Sequence, residues 1–478
     1  MPVSSNNFAV SKDLLWIPKH LLDKDRQDVL KNNLRMYLPK IDEAGNGFLY
    51  LFEETETHLG LPRRYISKNQ VEALGIPYRN EEIIAQARAG HPLSPKIGSH
   101  TGKNQPFRGW RDRGQVDAFR ALARAANSHG GILNLACGRG KTTISCYYAG
   151  ISAKRTLVVV DRIELQRQWQ KEFCGIFGVP EKEIGLIGGD GFQEWRGSRF
   201  CVGLVHSLAQ STTLPPEFYT YWDQIFFDEA QILAAPYYLE ALKKFPGTRI
   251  GLTATPYRSD GTSHIFFYHL GGIFFSDMSY EVPVHFNFLD TGLGPTIHEW
   301  DEIRSTTPDS SRAVNEWVAR STARYDYAEK VIRDCLSQGR NILVLGDRVE
   351  VLEEMHRRFP ESGLITGTVS TAKREIAPTK NPIFVTDKIG VKGFNVPRLD
   401  TLILLSLILD ENNIEQSTGR IRRGSANNNS AEVIALVDDF KKGSQLIERR
   451  VASIKSVLNK KGIPWSRSKD LPFLASKS

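Results

Sequence analysis

Three short stretches of this chain place residue types at spacings that suit phosphate chemistry. The first runs Leu135-Ala136-Cys137-Gly138-Arg139-Gly140-Lys141-Thr142-Thr143. It follows an apolar run, Gly131–Leu135, and opens a helical pattern. Gly138 and Gly140 let backbone N–H groups close on phosphate oxygens, and the helix N-terminus adds favourable partial charge. In that frame Lys141 reaches the β- and γ-phosphates, Thr142 binds Mg²⁺, and Arg139 and Thr143 complete the loop. Leu135 stands where such loops usually carry a first Gly or Ala.

The second stretch is Gln224-Ile225-Phe226-Phe227-Asp228-Glu229-Ala230-Gln231. Three apolar residues running into two carboxylates predict a buried strand that delivers acids at its C-terminal end. That end is where open α/β sheets bind ligands. Asp228 is the expected Mg²⁺ holder, acting through the ion's water shell. Glu229 is the expected base that polarises the attacking water. The third stretch is Gln416-Ser417-Thr418-Gly419-Arg420-Ile421-Arg422-Arg423. Arg420 and Arg423, three apart, share one helical face. Phosphoryl transfer needs positive charge on the γ-phosphate, and arginines given by another lobe would tie hydrolysis to lobe closure. The expected cofactors are ATP and Mg²⁺.

The surrounding sequence predicts the elements that hold these residues. Short β-branched apolar runs alternate with helical patterns: Gly131–Ala136, Thr156–Val160, Phe200–Val205, Gln224–Phe227 and Arg249–Leu252, with Ile163–Phe173 at helical spacing among them. Such alternation predicts a parallel sheet wrapped by helices. A second block repeats it at Asn341–Leu345, Gly363–Thr366, Pro382–Thr386, Thr401–Leu405 and Ala431–Val437. The fold class expected is therefore α/β, with two tandem RecA-like lobes and a cleft between them. Residues 1–104 read as a small N-terminal α+β domain, 105–290 as lobe 1, 291–322 as a turn-rich connector, 323–443 as lobe 2 and 444–478 as a basic helix and tail. In the first unit, Phe48–Phe52 reads as a strand, Asn80–Arg88 as a short helix, and residues 91–105 as a linker.

The three stretches, in this order, resemble the superfamily 2 helicases, with Asp228-Glu229-Ala230-Gln231 as a variant of that family's DEAD/DEAH box. Further stretches agree. Thr253-Ala254-Thr255-Pro256 is similar to the family's coupling motif, and residues 158–173 and 202–208 are similar to its DNA-side motifs. Residues 341–348 and Thr386-Asp387-Lys388 with Gly393-Phe394-Asn395-Val396-Pro397 are similar to motifs IV and V. Gln115 matches the glutamine that reads adenine, although Asp112 stands where a basic residue often precedes it. The resemblance spans residues 107–440 and is nearest to the XPB and phage UvsW group, which acts on duplex or branched DNA. It implies nucleotide contacts from Gln115, Gln231, Gly393 and Asn395. It implies nucleic-acid contacts from Arg162, Ser207, Thr255, Arg348, Thr366, Thr386 and Lys388, which hold phosphate without reading sequence. Gln231 replaces the box's usual final Asp or His.

Composition sets the remaining bounds. The 478 residues carry a net charge of +8 and are 41% hydrophobic and 24% charged, ordinary globular chemistry with a mild lean toward polyanions. Five scattered cysteines without a CxxC pair argue for a reducing compartment. No apolar run approaches a membrane span, and no signal-like leader opens the chain, so the expected location is cytoplasmic or nucleoid-associated, with a phage origin open. Arg63-Arg64-Tyr65 and Lys68 are candidates for phosphate contact, and the first unit for recognition of a fork or junction. The expected function is an ATP-dependent DNA helicase or translocase on forked or branched DNA. The alternatives are an RNA helicase and the motor subunit of a restriction-type complex. A scaffold that binds ATP without turnover would lack Lys141, Glu229 or Arg420, and all three are here.

Overall fold

The computed structural model describes residues 7–37, 47–81, 92–95, 107, 109–189, 193–210, 214–258, 260–280, 282–387, 396, 398–407, 411–422, 430–440 and 444–471. The chain divides into two compact units, Met1–Met278 and Ser279–Ser478.

The first unit is built on seven parallel strands: β1 (Gly131–Leu135), β2 (Thr156–Val160), β3 (Ile184–Ile187), β4 (Phe200–Leu204), β5 (Gln224–Asp228), β6 (Thr248–Thr253) and β7 (Ile273–Asp277), in the order β3-β4-β2-β5-β6-β1-β7. The strands β1, β2, β4, β5 and β6 are buried along their whole length, as continuous apolar runs require in a sheet covered on both faces. The helix Arg113–Ala126 starts where the Asp112 side chain accepts from Gln115 N. It buries Gln115, Ala118, Ala121, Leu122, Ala125 and Ala126, a stripe at helical period. The helix Ile163–Phe177 buries Leu165, Trp169 and Phe173 and ends at Gly178, whose φ of 68° suits glycine.

A five-stranded mixed sheet (Ala9–Ser11, Leu15–Pro18, Glu53–Glu54, His58–Leu61, Tyr78–Asn80) precedes this core. Its Leu15, Ile17, Leu59 and Leu61 belong to one apolar cluster with Phe227, Phe245 and Phe266. The sheet is therefore an extension of the first unit. Arg63, 2% exposed, donates to the carbonyls of Lys12, Pro246 and Gly247. Arg249 donates to those of Asp13, Lys243 and Phe245. Arg64 donates to His129 O, and Tyr65 meets Tyr268 edge to face. Arg63 and its neighbours thus join the small sheet to the core, a different role from the phosphate contact expected of them. Phe48–Tyr50 is a strand paired with Arg35–Tyr37. Asn80 ends a strand; residues 82–88 of the expected helix lie outside the described residues.

The second unit is again seven parallel strands: β8 (Val284–Asp290), β9 (Ile342–Gly346), β10 (Gly363–Ile365), β11 (Ile383–Thr386), β12 (Thr401–Leu404), β13 (Ala431–Val437) and β14 (Trp465–Ser468). Their order is β10-β11-β9-β12-β13-β8-β14, the order of the first unit repeated strand for strand. The two tandem RecA-like lobes are thus topological copies. Residues 284–290, assigned to lobe 1 from sequence, pair with β13 and β14 of the second sheet. The stretch read as a connector holds two helices, Ile297–Thr306 and Ser310–Arg320. Thr296 and Glu299 form a capping box, and Trp300, Ile303, Ala313, Val314, Trp317 and Val318 enter the second core. Residues 307–309 separate the two helices. The helix Ser444–Lys460 buries Ile447, Val451, Ile454 and Leu458 in that core.

Candidate nucleotide site and its relay

The loop after β1 turns through two left-handed glycines, Gly138 (φ 86°) and Gly140 (φ 88°), into the helix Lys141–Ile151. The first helical N–H groups therefore open at the C-terminal edge of the sheet. A side chain could not be added at Gly140, since its Cβ would lie 2.6 Å from Gln115 Nε2. Lys141 Nζ donates to Leu135 O at 2.9 Å, folded back over its own loop. The Thr143 hydroxyl donates to Glu172, whose carboxyl burial pushes above its usual range while that bond opposes the shift. Gln168 Nε2 reaches Thr142 Oγ1 at 3.5 Å.

Gln115 and Arg139 brace this loop. Gln115 Nε2 donates to Arg139 O at 3.1 Å, and its Oε1 accepts from Arg111 N at 2.9 Å. The Arg139 guanidinium lies 2.7 Å from both Asp112 and Asp277. Asp112, the acid at an expected basic position, thus caps a helix and anchors the loop at once. Arg111 donates to Gly138 O, a contact that sequence spacing gave no sign of.

The strand β5 lies two places from β1 and ends at Asp228, so both elements deliver side chains to the same edge. Asp228 is 5% exposed, and Trp169 Nε1 donates to it at 2.8 Å. Burial and the neighbouring Glu229 charge push the Asp228 carboxyl up to about 6, against the pull of Trp169 and Lys141. Nothing in the sequence singles out Trp169; only the fold reveals its bond to the carboxylate. Glu229 has φ 51°, a left-handed conformation that costs a non-glycine residue roughly 1–3 kcal/mol.

From Glu229 a chain of hydrogen bonds runs to the motif after β6. Gln231 Nε2 donates to Glu229 Oε2 at 2.7 Å. Thr253 Oγ1 donates to Gln231 Oε1 at 2.6 Å, and Thr255 N donates to Thr253 Oγ1 at 2.9 Å. A neutral amide suits this place because it donates on one side and accepts on the other, which a carboxylate cannot do. The Thr255 hydroxyl at the end is buried without a partner among the described residues.

The other expected nucleic-acid contacts are dispersed. Arg162 pairs with Asp161 at 2.5 Å. Ser207 sits on the helix Val205–Gln210 against Gly188, where a side chain would collide with its hydroxyl. In the second unit Arg348 lies between Glu316 (3.1 Å) and Glu350 (2.9 Å). Thr366 and Thr386 are buried, Thr366 bonded to Thr368 at 2.8 Å. Asp387, after Thr386, is pushed up to about 7 by burial and by the Asp347 charge. Arg420 lies on the helix Glu411–Ile421. Lys388, Gly393, Asn395 and Arg423 lie outside the described residues.

Fold and site describe a protein of two RecA-like lobes whose first lobe brings a glycine-turned loop and a strand-end acid pair to one edge of its sheet. Residues 111–258 match the family model described as type III restriction enzyme, res subunit. The chain is 24% identical over 300 residues to a protein named "DNA 3'-5' helicase XPB" from Mycobacterium tuberculosis, covering 60% of this chain and 53% of that one. It is 22% identical over 452 residues to a putative ATP-dependent RNA helicase of Acanthamoeba polyphaga mimivirus, covering 90% and 82%. The crystal structure of T4 UvsW aligns with a TM-score of 0.38 at 17% identity, over 93% of this chain and 96% of that one. The chain spans about half the length of the first curated relatives it matches, 53% and 57%. It is thus similar to proteins named as helicases, among them the XPB helicases. Among the described residues no helix is long and apolar enough to cross a membrane.

Proposed function

We propose that the chain is an ATP-dependent DNA helicase or translocase that works on forked or branched DNA in replication, recombination or repair. The observation that carries this reading is the unbroken bond chain from Glu229 to Thr255. It links the residue assigned to water activation with a residue assigned to the nucleic acid.

The first lobe's residues fit Mg²⁺–ATP. The two left-handed glycines turn the loop so that the first helical N–H groups open at the sheet edge, and the buried Asp228 carboxyl accepts from Trp169 and from Glu229 N there. Asp228 and Thr142 would hold the metal, and Gly138, Arg139, Gly140, Lys141, Thr142 and Thr143 the phosphates. When bound, Mg²⁺–ATP supplies the phosphoanhydride bond whose cleavage drives the cycle. Lys141 would exchange the Leu135 carbonyl for phosphate oxygens. Glu229 would take the proton of the attacking water, held in place by the Gln231 amide. Arg420 and Arg423 would supply positive charge as hydrolysis proceeds. Loss of the Glu229 charge on protonation weakens its bond to Gln231, and that change passes to Thr253 and Thr255.

Gln115 would read adenine only by releasing Arg111 N or Arg139 O, so nucleotide binding is expected to loosen that brace. DNA is favoured as substrate by the relatives named as DNA helicases, which also suggests 3′-to-5′ movement. RNA is the second reading, because the mimivirus relative is named for it and matches over more of the chain. The test is a strand-displacement panel of forks, four-way junctions, 3′- and 5′-tailed duplexes and RNA hybrids, with ATP hydrolysis followed in parallel. Faster unwinding of forks and junctions than of tailed duplexes is expected. Equal rates on all DNA would remove the branched preference, and activity confined to RNA would replace DNA as substrate.

A further inference from the structure

Tyr280 lies two residues beyond the boundary between the units, and it grips the arginine-bearing helix at two points. Its hydroxyl donates to Glu415. Its ring face lies under the Arg422 guanidinium, with Cζ 3.7 Å from the ring centroid. Arg422 also donates through Nε to Val282 O at 3.2 Å. Glu415 lies within the helix Glu411–Ile421, and Arg422, seven residues on, directly follows its last residue. One tyrosine therefore holds the helix near its middle and just beyond its C-terminal end. On the other side of the carboxylate, Lys461 lies 2.8 Å from Glu415, just past the helix Ser444–Lys460. Glu415 is 4% exposed, so its charge is held by these partners rather than by water.

Arg420 is five residues from Glu415, which turns it roughly 140° around the helix from the face that Tyr280 holds. Fixing a helix near its middle and just past its end fixes its rotation and its axial position, and hence the direction in which the opposite face points. We infer that Tyr280, with Arg422 and Glu415, is a positioning device that holds this helix at the rotation in which Arg420 acts. The inference rests on the role proposed above for Arg420. Arg422, lying between the two arginines assigned to the reaction, is then not a third charge for the phosphate. It is the handle by which the segment joining the units holds the helix, so a movement of that segment is passed to Arg420.

The test compares steady-state ATP hydrolysis by the full chain, in the presence of DNA, across several variants. Tyr280→Leu removes both grips and is expected to lower kcat roughly 10- to 100-fold, the cost of a misdirected group, with KM for ATP unchanged within about twofold. Tyr280→Phe keeps the ring under Arg422 and is expected to fall between Tyr280→Leu and the parent chain. Arg422→Met removes the ring contact alone and should also fall between Tyr280→Leu and the parent chain, and Arg422→Lys should recover part of its loss because an ammonium still sits on the ring. The double variant Tyr280→Leu/Arg422→Met should be no worse than Tyr280→Leu alone, since that variant already breaks the contact between the ring and Arg422. Parent-like kcat in Tyr280→Phe and Arg422→Met, or strictly additive losses in the double variant, overturns the inference even if Tyr280→Leu fails to fold. Arg420→Ala separates the two levels. If it hydrolyses ATP normally, the proposed role of Arg420 falls. If it is inactive while the Tyr280 and Arg422 variants turn over normally, only the positioning device falls.

Discussion

The two lobes share one strand order, and the same place in that order does opposite work in each. After β1 comes Ala136-Cys137-Gly138-Arg139-Gly140-Lys141, a loop that ends in a cation at a helix start. After β8, its counterpart, comes Thr291-Gly292-Leu293-Gly294-Pro295-Thr296, with two glycines but no lysine. The strand β5 ends in Asp228 and Glu229, whereas β12 runs on into Leu405 and Ser406. The strand β6 leads to Thr253 and Thr255 in the bond chain. Its counterpart β13 leads to Asp438, which accepts from Thr291 at 2.8 Å and pairs with Arg324 at 2.9 Å. Arg324 is 2% exposed and also donates to Leu405 O. The second lobe has thus filled the corresponding edge with an internal ion pair. The lesson is that the sheet supplies a place, and the few residues at its strand ends decide between chemistry and stability.

The largest effect that would sharpen this contrast is on the first lobe. Lys141→Ala is expected to reduce ATP hydrolysis by at least roughly 10³-fold while leaving the unfolding midpoint nearly unchanged. Measured by steady-state turnover and thermal melting, a variant that still hydrolyses ATP would end the assignment of the loop. The next effect belongs to the second lobe. Asp438→Ala strands the buried Arg324 charge and should destabilise that lobe by about 3–5 kcal/mol, as read by denaturant unfolding. A loss below about 1 kcal/mol would show that the ion pair is not what fills that edge.

The smallest effect is a pH response. Asp228 has its carboxyl raised, so its charged form is the disfavoured one in the free protein. The ionised form needed to hold a metal should be lost as pH falls through about 6 rather than through the ordinary range near 4. The kcat/KM for Mg²⁺–ATP should therefore decline about tenfold per unit below that point, since this ratio reports the free enzyme. A flat profile down to pH 5 would argue that Asp228 is ionised throughout and that its burial is compensated by something else.

Much of the fold was legible because central parallel strands are apolar along their length and need no alternation to be seen. Thr156–Val160 and Ala431–Val437 fall where the residues place them. In the two seven-stranded sheets, the four strands not read as members are edge or near-edge ones. Ile184–Ile187, Ile273–Asp277 and Trp465–Ser468 are short or half-exposed, so their residues carry weaker apolar signals. Val284–Asp290 was seen only as the tail of the first block, because nothing in a strand's composition says which sheet it joins. The glycines, lysine and acid pair of the site were readable from spacing alone. Their supports were not, because Trp169, Asp112, Asp277 and Glu172 are distant in sequence and meet the site only through the packing of whole helices and strands.

The join between the small N-terminal sheet and the first lobe has an evolutionary consequence. Arg63 and Arg249 grip main-chain oxygens of residues 12, 13, 243, 245, 246 and 247. Every amino acid presents the same carbonyl, so these bonds do not depend on which side chains those six residues carry. They depend on the two guanidinium groups, which are where inherited change would break them.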